Sequence, residues 1–269
     1  GIAVLEFNDD EFKRIALTLW DADGDGDITP EEGQTRKLVH TSFAGNTTLV
    51  EADFSELNFY VPYASTSVFK NCTGLKKIVF GKYGGISSGD LQGCSSLETV
   101  VFPDDLSNYE IQQNGNGTNW GYVFKDCISL KRVDFLPKVN VNPIANSTAN
   151  DCFYGCSSLE YIDVPESFNY LFEKGFSSFI RDCVNLKTAI FRPTTYTTFS
   201  GNCCSNTPLL ESLVIFNPTP PTVGWGSLPS NGTCMFYVPD ESVNAYKAAS
   251  GWSAHANRIK GISEYPGTL

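Results

Sequence analysis

The most concentrated group of metal-ligating side chains lies near the beginning of the chain, in the twelve residues from Asp21 to Glu32. Three aspartates alternate with small residues in its first half, and a glutamate closes it. Carboxylate oxygens are preferred ligands of hard divalent cations, and so many in one short loop repel one another unless a cation is present. The segment therefore predicts a cation site, and it offers no isolated pair of carboxylates for acid and base catalysis.

The order of residues in this segment resembles the EF-hand loop. Asp21, Asp23 and Asp25 stand at positions 1, 3 and 5, and a glycine at position 6 allows the sharp turn. Asp27 would offer its backbone carbonyl at position 7, and Glu32 its two oxygens at position 12. The resemblance implies a structural Ca²⁺ site formed by Asp21, Asp23, Asp25, Asp27 and Glu32. A solvated acidic turn is the alternative, and a dockerin module would need a second, paired loop, which we do not find.

Helix signals flank the acidic loop. Asn8 is in position to cap a helix that follows it, with Glu11 at the capping-box position. Phe7 can pack against Phe12 across the first turn. A second, short helix follows the loop. We expect residues 1–40 to form a helical cap that calcium rigidifies.

One string could indicate a catalytic nucleophile. Gly85-Ile-Ser87-Ser-Gly89 matches the nucleophile-elbow pattern, which needs a strand before it, a long helix after it and a histidine downstream. The string links two repeats instead, and the only later histidine is His255. Zinc spacing is also absent, because the repeat cysteines lie one coil apart and have no histidines nearby. We expect no enzymatic activity.

The composition of the chain limits the classes of partner that it can be expected to bind. The chain has 269 residues, a net charge of -11 and no basic run, which disfavours nucleic acid and anionic membranes as partners. No run of about 18 apolar residues occurs, so no membrane-spanning segment is predicted. The chain begins at Gly1 rather than Met, and we expect an export signal before it to have been removed.

A repeat occupies most of the chain. Its pattern is a bulky residue, then cysteine, leucine and isoleucine or valine at steps of three, and an apolar residue two further on, as in Phe69–Phe80. The second position is held in turn by Asn46, Cys72, Cys94, Cys127, Cys156, Cys183 and Thr207. The steps fall between 22 and 33 residues, close to the period of about 20–29 typical of leucine-rich repeats.

Each repeat ends in alternating apolar residues, which predicts a short strand with one buried face. One coil buries too little apolar surface to fold alone, so the coils must stack. We predict an α/β repeat solenoid, a right-handed leucine-rich-repeat coil with a parallel β-sheet on its concave face. About seven irregular coils would span residues 41–238, and a short strand-helix cap, with its helix capped by Asp240, would span 239–269.

The cysteines admit two interpretations. A small, weakly polar side chain suits the tight corner before each strand, which favours free, buried thiols. Cysteines of adjacent coils could also lie close enough to bridge. Cys203, Cys204 and Cys234 fall outside the ladder and are the better candidates for redox activity.

These repeats resemble the BspA-like leucine-rich repeats of bacterial surface proteins. The resemblance rests on the cysteine-bearing pattern, clearest at Leu91–Pro103 and Phe153–Pro165, and covers about Phe43 to Val238. It implies an exported protein of the bacterial cell surface or the extracellular space that is associated with adhesion. The coil lengths are less regular than is usual in that family, so the binding surface is expected to differ.

Two features could contact a ligand. An insertion at residues 114–122 carries Trp120 and Tyr122, which suit a glycan or a peptide, although Trp120 could instead cover the core. The charge after each repeat leucine alternates in sign along Lys76, Glu98, Lys131, Glu160, Lys187 and Glu211. We interpret this column mainly as a ladder that sets register and solubility.

Two function hypotheses follow. The first is a non-catalytic extracellular or cell-surface binding or adhesion protein that recognises a protein ligand through the repeat surface. The alternative is a surface glycan-binding or glycan-uptake accessory protein. In both cases we expect a monomer with structural calcium.

Overall fold

The computed structural model describes residues 1–61, 67–104, 106, 108–112, 121–134, 148–170 and 174–269. Three short α-helices lie at the two ends of the chain: α1 (Asp10–Trp20), α2 (Pro30–Gly33) and α3 (Val243–Ala248). The strands in chain order are β1 (Lys37–Leu38), β2 (Glu51–Asp53), β3 (Phe59–Tyr60), β4 (Lys77–Val79), β5 (Gly84–Ser87), β6 (Thr99–Val101), β7 (Tyr109–Gln112), β8 (Thr148–Asn150), β9 (Tyr161–Val164), β10 (Gly175–Ser177), β11 (Thr188–Phe191), β12 (Thr198–Ser200), β13 (Ser212–Ile215), β14 (Thr222–Val223), β15 (Met235–Val238) and β16 (Ile259–Gly261).

The strands stack into two parallel ladders. The first ladder has the orders β2-β4-β6 and β9-β11-β13-β15-β16, and the second has β1-β3, β5-β7 and β8-β10-β12-β14. Every described pairing is parallel and in register, for example Ile78 opposite Val100 and Ala189 opposite Leu213. The predicted fold class is confirmed: the chain is a parallel-strand solenoid of about eight turns, to which the helical caps are minor additions.

The first ladder is made by the strands that the repeat pattern predicts. Ile78, Ile162 and Leu213 point into the core and are fully buried. The second ladder was not predicted, because its strands come from short segments outside the repeat pattern, several of them rich in glycine, serine and threonine. Gly84 begins one of them, and a Cβ there would lie 2.9 Å from the ring of Phe59, so only glycine fits. The string that we assigned to a link between coils is therefore partly a strand.

The first ladder is interrupted after β6. Residues 131–134 form no strand, and in the described ranges none of them hydrogen-bonds to Glu98–Val101. Leu130 and Val133 are nevertheless buried in the core. The coil thus continues through the interruption, while among the described residues none pairs with the far edge of β6.

The repeat cysteines connect successive coils through hydrogen bonds. All nine cysteines are free and buried. In the ladder, each thiol donates to the backbone carbonyl of the bulky repeat residue in the preceding coil, as Cys72 does to Phe43 (3.0 Å) and Cys183 to Phe153 (3.1 Å). Burial raises the pKa of Cys72 to about 11, so it stays a protonated donor. A small side chain with one donor therefore suits this corner.

Helix α1 is capped by Asp9 rather than by Asn8, the cap that we predicted. The Asp9 side chain accepts a hydrogen bond from the Phe12 backbone N–H (2.8 Å). Both residues are good caps, and the choice follows from tertiary contacts that Asp9 alone makes. The predicted packing of Phe7 on Phe12 is confirmed, with ring centroids 5.6 Å apart.

The C-terminal residues close the other end of the solenoid. The Tyr246 hydroxyl donates to Asn217 O (2.7 Å), and the Trp252 indole donates to Pro221 O (2.9 Å). Asp240 does not cap the helix as predicted; a 3-10 turn precedes α3, and the Asp240 side chain accepts from Ser263 N–H (3.0 Å). Strand β16 then pairs with β15, which covers the sheet edge. None of the helices in the described ranges has the length and apolar character needed to cross a bilayer.

Candidate functional site

The acidic loop brings three of its predicted ligands together. Carboxylate oxygens of Asp21, Asp23 and Asp25 all lie within 4.8 Å of one another. The loop backbone holds them there, because the Asp21 side chain accepts from the N–H groups of Gly24 (2.7 Å) and Gly26 (3.1 Å). Gly26 has a φ of +91°, a left-handed conformation that favours glycine at this turn. Three oxygen donors of this type suit a hard divalent cation.

The other two predicted ligands lie differently. Glu32 joins the two ends of the loop: its side chain accepts from Ala22 N–H (2.9 Å) and Thr29 N–H (2.8 Å), and Thr29 completes the capping box of α2. The Thr29 and Ala22 hydrogen bonds lower the pKa of Glu32. The Asp27 carboxylate faces Lys13 instead, 3.5 Å away. Any contribution of Asp27 would therefore come from its backbone carbonyl.

The acidic loop is fixed to the solenoid on its apolar side. Ile28 is 1% exposed, and its carbonyl accepts from Leu5 N–H (2.7 Å). The loop thus pairs with the N-terminal segment of the same chain. Gly33, at the end of α2, packs so closely that a Cβ there would lie 2.5 Å from Glu56 O. The acidic loop and α2 are therefore packed directly against the start of the repeats.

The string around Ser87 has no accessible nucleophile. Ser87 is 1% exposed, and its hydroxyl donates to Asp90 (2.6 Å). The Asp90 carboxylate also accepts from the backbone N–H groups of Ser87 (2.7 Å) and Val68 (2.9 Å). Burial raises the pKa of Asp90 to about 6, and these hydrogen bonds oppose the shift. The segment that matches the elbow pattern therefore connects neighbouring coils through hydrogen bonds.

The alternating charges lie in one exposed column. Each immediately precedes the strand position of its coil, and backbone hydrogen bonds stack them, as from Lys187 N–H to Glu160 O (3.0 Å) and from Glu211 N–H to Lys187 O (2.9 Å). In the described ranges no ion pair within 4.0 Å joins two members of the column. Register thus comes from the backbone ladder, and the charged groups face solvent.

Beside this column lies a surface rich in arginine and aromatic side chains, which we call the strand face. The Arg132 guanidinium stacks 4.4 Å from the ring centroid of Tyr161. Arg192 makes two hydrogen bonds to Asp163 (2.7 and 2.9 Å) and lies 5.2 Å from the ring centroid of Phe216. Hydrogen bonding to Asp163 raises the pKa of Arg192, against the effect of partial burial. Stacking and ion pairing together fix these long side chains in place.

The strand face has definite borders. At the interruption of the first ladder, a hollow of about 410 Å³ is lined by Glu98, Ser129, Lys131 and Ser158. At the other border the C-terminal residues fold over the outer side of the sheet, where Tyr265 packs on Tyr237 with ring centroids 5.2 Å apart. The accessible part of the strand face therefore lies in the middle of the solenoid.

The structure describes only part of the insertion that we predicted to contact a ligand. Trp120 lies outside the described residues. Tyr122 belongs to a tight turn with φ +62°, and its N–H donates to Asn150 O (2.9 Å). Lys125 lies between two rings, 5.6 Å from the centroid of Tyr122 and 4.9 Å from that of Tyr154. Tyr122 thus belongs to a cation–aromatic stack on the turn side of the coils, away from the strand face.

The model of the BspA type Leucine rich repeat region matches residues 29–116 and 120–220 in six copies. A leucine-rich repeat protein from Bacteroides ovatus is 25% identical with a TM-score of 0.38, over 57% of this chain and 36% of that one. The T. pallidum Leucine Rich Repeat protein is 17% identical with a TM-score of 0.47, over 89% of this chain and 92% of that one. No curated protein matches the chain.

This chain spans about a third of the length of the Bacteroides ovatus protein. The assignment to a family does not rest on these two solved structures. It rests on the repeat model, whose matches cover well over half of the 269 residues. The chain therefore belongs to the BspA-type leucine-rich repeat family.

Proposed function

We propose that the chain is a non-catalytic binding protein that acts outside the cell or at the bacterial cell surface and recognises a protein ligand through its strand face. Proteins of this repeat family are typically secreted or surface-exposed. Membership in the family suggests a role in protein interaction. A buried serine at the elbow-like string agrees with a non-catalytic role.

The stacked pair of Arg132 and Tyr161, with Arg192 and Phe216 beside it, carries this proposal. Arginine and aromatic residues are enriched where protein interfaces concentrate their binding energy, because they bury large areas and still offer polar groups. The side chains are held by one another before any ligand arrives, which lowers the entropy lost on binding. The exposed charges of the neighbouring column would form the polar rim of such an interface.

Calcium is the second part of the proposal. Asp21, Asp23 and Asp25, with the Asp27 carbonyl and Glu32, would hold one Ca²⁺ in the loop before α2. Its charge would neutralise repulsion among carboxylates that already converge. The role is structural, because Ile28 and α2 connect the loop to the first coil. The supply of calcium outside cells makes a modest affinity sufficient.

Capture experiments test the binding proposal. The chain is immobilised and exposed to a solubilised extracellular-matrix and mucus extract, and retained proteins are identified by mass spectrometry. We expect specific proteins to be retained by the wild type and lost with Tyr161→Ala or Arg132→Ala. Leu209→Ala is the control, because Leu209 is an exposed apolar residue outside the strand face. Equal retention by all four proteins would show that the strand face is not the binding surface.

A further inference from the structure

The last coils of the solenoid present a tryptophan to solvent. Trp225 is 95% exposed. It stands between Gly224 and Gly226 in a tight turn, closed by a hydrogen bond from Ser227 N–H to Gly224 O (3.1 Å), and Gly226 has a φ of +70°. An indole in this position adds nothing to the core, and it leaves a large, flat aromatic surface free to contact a ligand.

Backbone hydrogen bonds fix this turn to the preceding coil. Gly224 N–H donates to Phe199 O (2.8 Å), and Cys204 N–H donates to Ser227 O (3.1 Å). The backbone on both sides of Trp225 is therefore held by the second ladder. A platform of this kind loses little conformational entropy when a ligand covers it.

A cavity of about 360 Å³ lies beside the indole, between this turn and the C-terminal cap. Its wall is mainly apolar and includes Val223, Pro229 and Gly251, and its polar side chains include Ser227 and His255. Among the residues that the structure describes, no aspartate, glutamate, lysine or arginine lines it. The volume lies within the range of about 300–1,000 Å³ that is usual for small-ligand sites.

One lining residue of the cavity, Ser227, carries a buried hydroxyl for which the described residues offer no partner. Ser227 is 1% exposed, and its Oγ makes no hydrogen bond within the part of the chain that the structure describes. A buried hydroxyl can both donate and accept, and leaving it unpaired is unfavourable. A ligand with hydroxyl groups would supply the missing partner.

His255 offers a second polar group of defined character. Arg258 donates to its Nδ1 (2.6 Å), so the proton of the neutral ring lies on Nε2. Burial, and then the charge of Arg258, lower the pKa of His255, which keeps the ring neutral at pH 7. The site therefore combines an aromatic platform, a hydroxyl and a neutral donor.

We propose that this cavity binds a neutral saccharide, with one pyranose ring stacked on Trp225 and its hydroxyl groups bonded to Ser227 and His255. The apolar C–H face of a pyranose covers an indole well, and its hydroxyl groups donate and accept as the cavity requires. A proline-rich peptide would also cover the indole, but it brings few groups that could satisfy Ser227. The proposal goes beyond protein recognition at the strand face, because both the surface and the ligand class differ.

An array of neutral and anionic oligosaccharides, followed by calorimetry with the neutral saccharide that gives the strongest signal, tests the proposal. We expect neutral saccharides to bind and to change tryptophan fluorescence. Trp225→Ala should weaken binding at least tenfold and Ser227→Ala several-fold, and Leu209→Ala should leave it unchanged. Melting temperatures of the variants show that the fold is retained.

Three outcomes would overturn the saccharide site. They are the absence of neutral-saccharide binding to the wild type, unchanged binding by Trp225→Ala, and binding of a proline-rich peptide in place of any saccharide. Protein capture by the Trp225→Ala variant separates the two proposals. If capture persists while saccharide binding is lost, the strand face and this cavity act independently.

Discussion

The Asp9 carboxylate accepts a hydrogen bond from the Val50 backbone N–H, 2.8 Å away and 41 residues later in the chain. The same oxygen accepts from Glu51 N–H (2.9 Å), and the other oxygen caps α1 at Phe12. One side chain thus caps a helix and joins it to the first repeat strand. Burial raises the pKa of Asp9, but the hydrogen bonds from Phe12, Glu51 and Val50 outweigh it, so the net effect is a lowered pKa.

Replacing Asp9 should therefore destabilise the N-terminal end. Asp9→Ala should lower the free energy of unfolding by about 2 kcal/mol, because a cap and two tertiary hydrogen bonds are lost together. Its contribution is complete above the unfolded-state pKa of about 3.9 and is lost as the pH falls through the lower, folded-state pKa. Urea unfolding at pH 7 and pH 3 measures both effects. Asn8→Ala is the control, and an equal loss from both variants would contradict the assignment of the cap.

Calcium should raise the melting temperature, and EDTA should lower it. Asp21→Ala and Glu32→Gln should each abolish calcium binding in calorimetry, because the first removes a converging carboxylate and the second the charge that closes the loop. Glu31→Gln is the matched control, since Glu31 is exposed and outside the proposed ligand set. Calcium binding that survives the double replacement of Asp21 and Glu32 would refute the site.

The thiols should be unreactive in the native protein. Burial prevents a reagent from reaching the ladder thiols. It also raises their pKa, so they stay protonated and the reactive thiolate does not form. Titration with a thiol reagent should find almost none before denaturation and about nine after it, without reductant. Finding few thiols in denaturant would instead indicate disulfides. Cys156→Ala should cost about 0.5–1.5 kcal/mol, because the Phe124 carbonyl, 3.0 Å from that thiol, loses this donor but keeps the Cys127 N–H (3.1 Å).

Asp90 should make stability depend on pH. Its folded-state pKa of about 6 exceeds the unfolded-state value of about 3.9, so the unfolded chain binds fewer protons between these values. Its contribution is complete below pH ~4 and is lost as the pH rises to about 6, a change on the order of 2–3 kcal/mol. Asp90→Asn should flatten this slope in urea unfolding from pH 4 to pH 7. An unchanged slope would assign the pH dependence to other groups.

Much of the fold could be predicted because the repeat encodes its own periodicity. In the first ladder the inward Ile78 lies between the exposed Lys77 and the half-buried Val79, and stacking follows from the size of one coil. The second ladder carries a weaker signal, since Gly175–Ser177 and Thr198–Ser200 each offer one large apolar residue, Phe176 and Phe199. The cap at Asp9 could not be separated from Asn8, because the deciding hydrogen bonds come from Val50 and Glu51.

The candidate sites differ in how well the sequence alone predicts their location. The acidic loop could be located because its ligands lie within twelve residues. The strand face could not, because Arg132, Tyr161 and Arg192 come from different coils and meet only after stacking. Trp225 gave no signal either, as a tryptophan between two glycines is compatible with burial. Only the exposure of the Trp225 side chain and the unpaired hydroxyl of Ser227 mark this region as a candidate ligand site.

The most direct test of the binding account is hydroxyl-radical footprinting of the chain with and without a captured protein ligand. Tyr161 and Phe216 lie on the strand face, whereas Tyr154 lies on the turn side of the coils and reports non-specific protection. We predict that the ligand lowers oxidation of Tyr161 and Phe216 at least several-fold and leaves Tyr154 and Trp225 unchanged. Protection of Tyr154 with unchanged oxidation of Tyr161 would contradict recognition through the strand face.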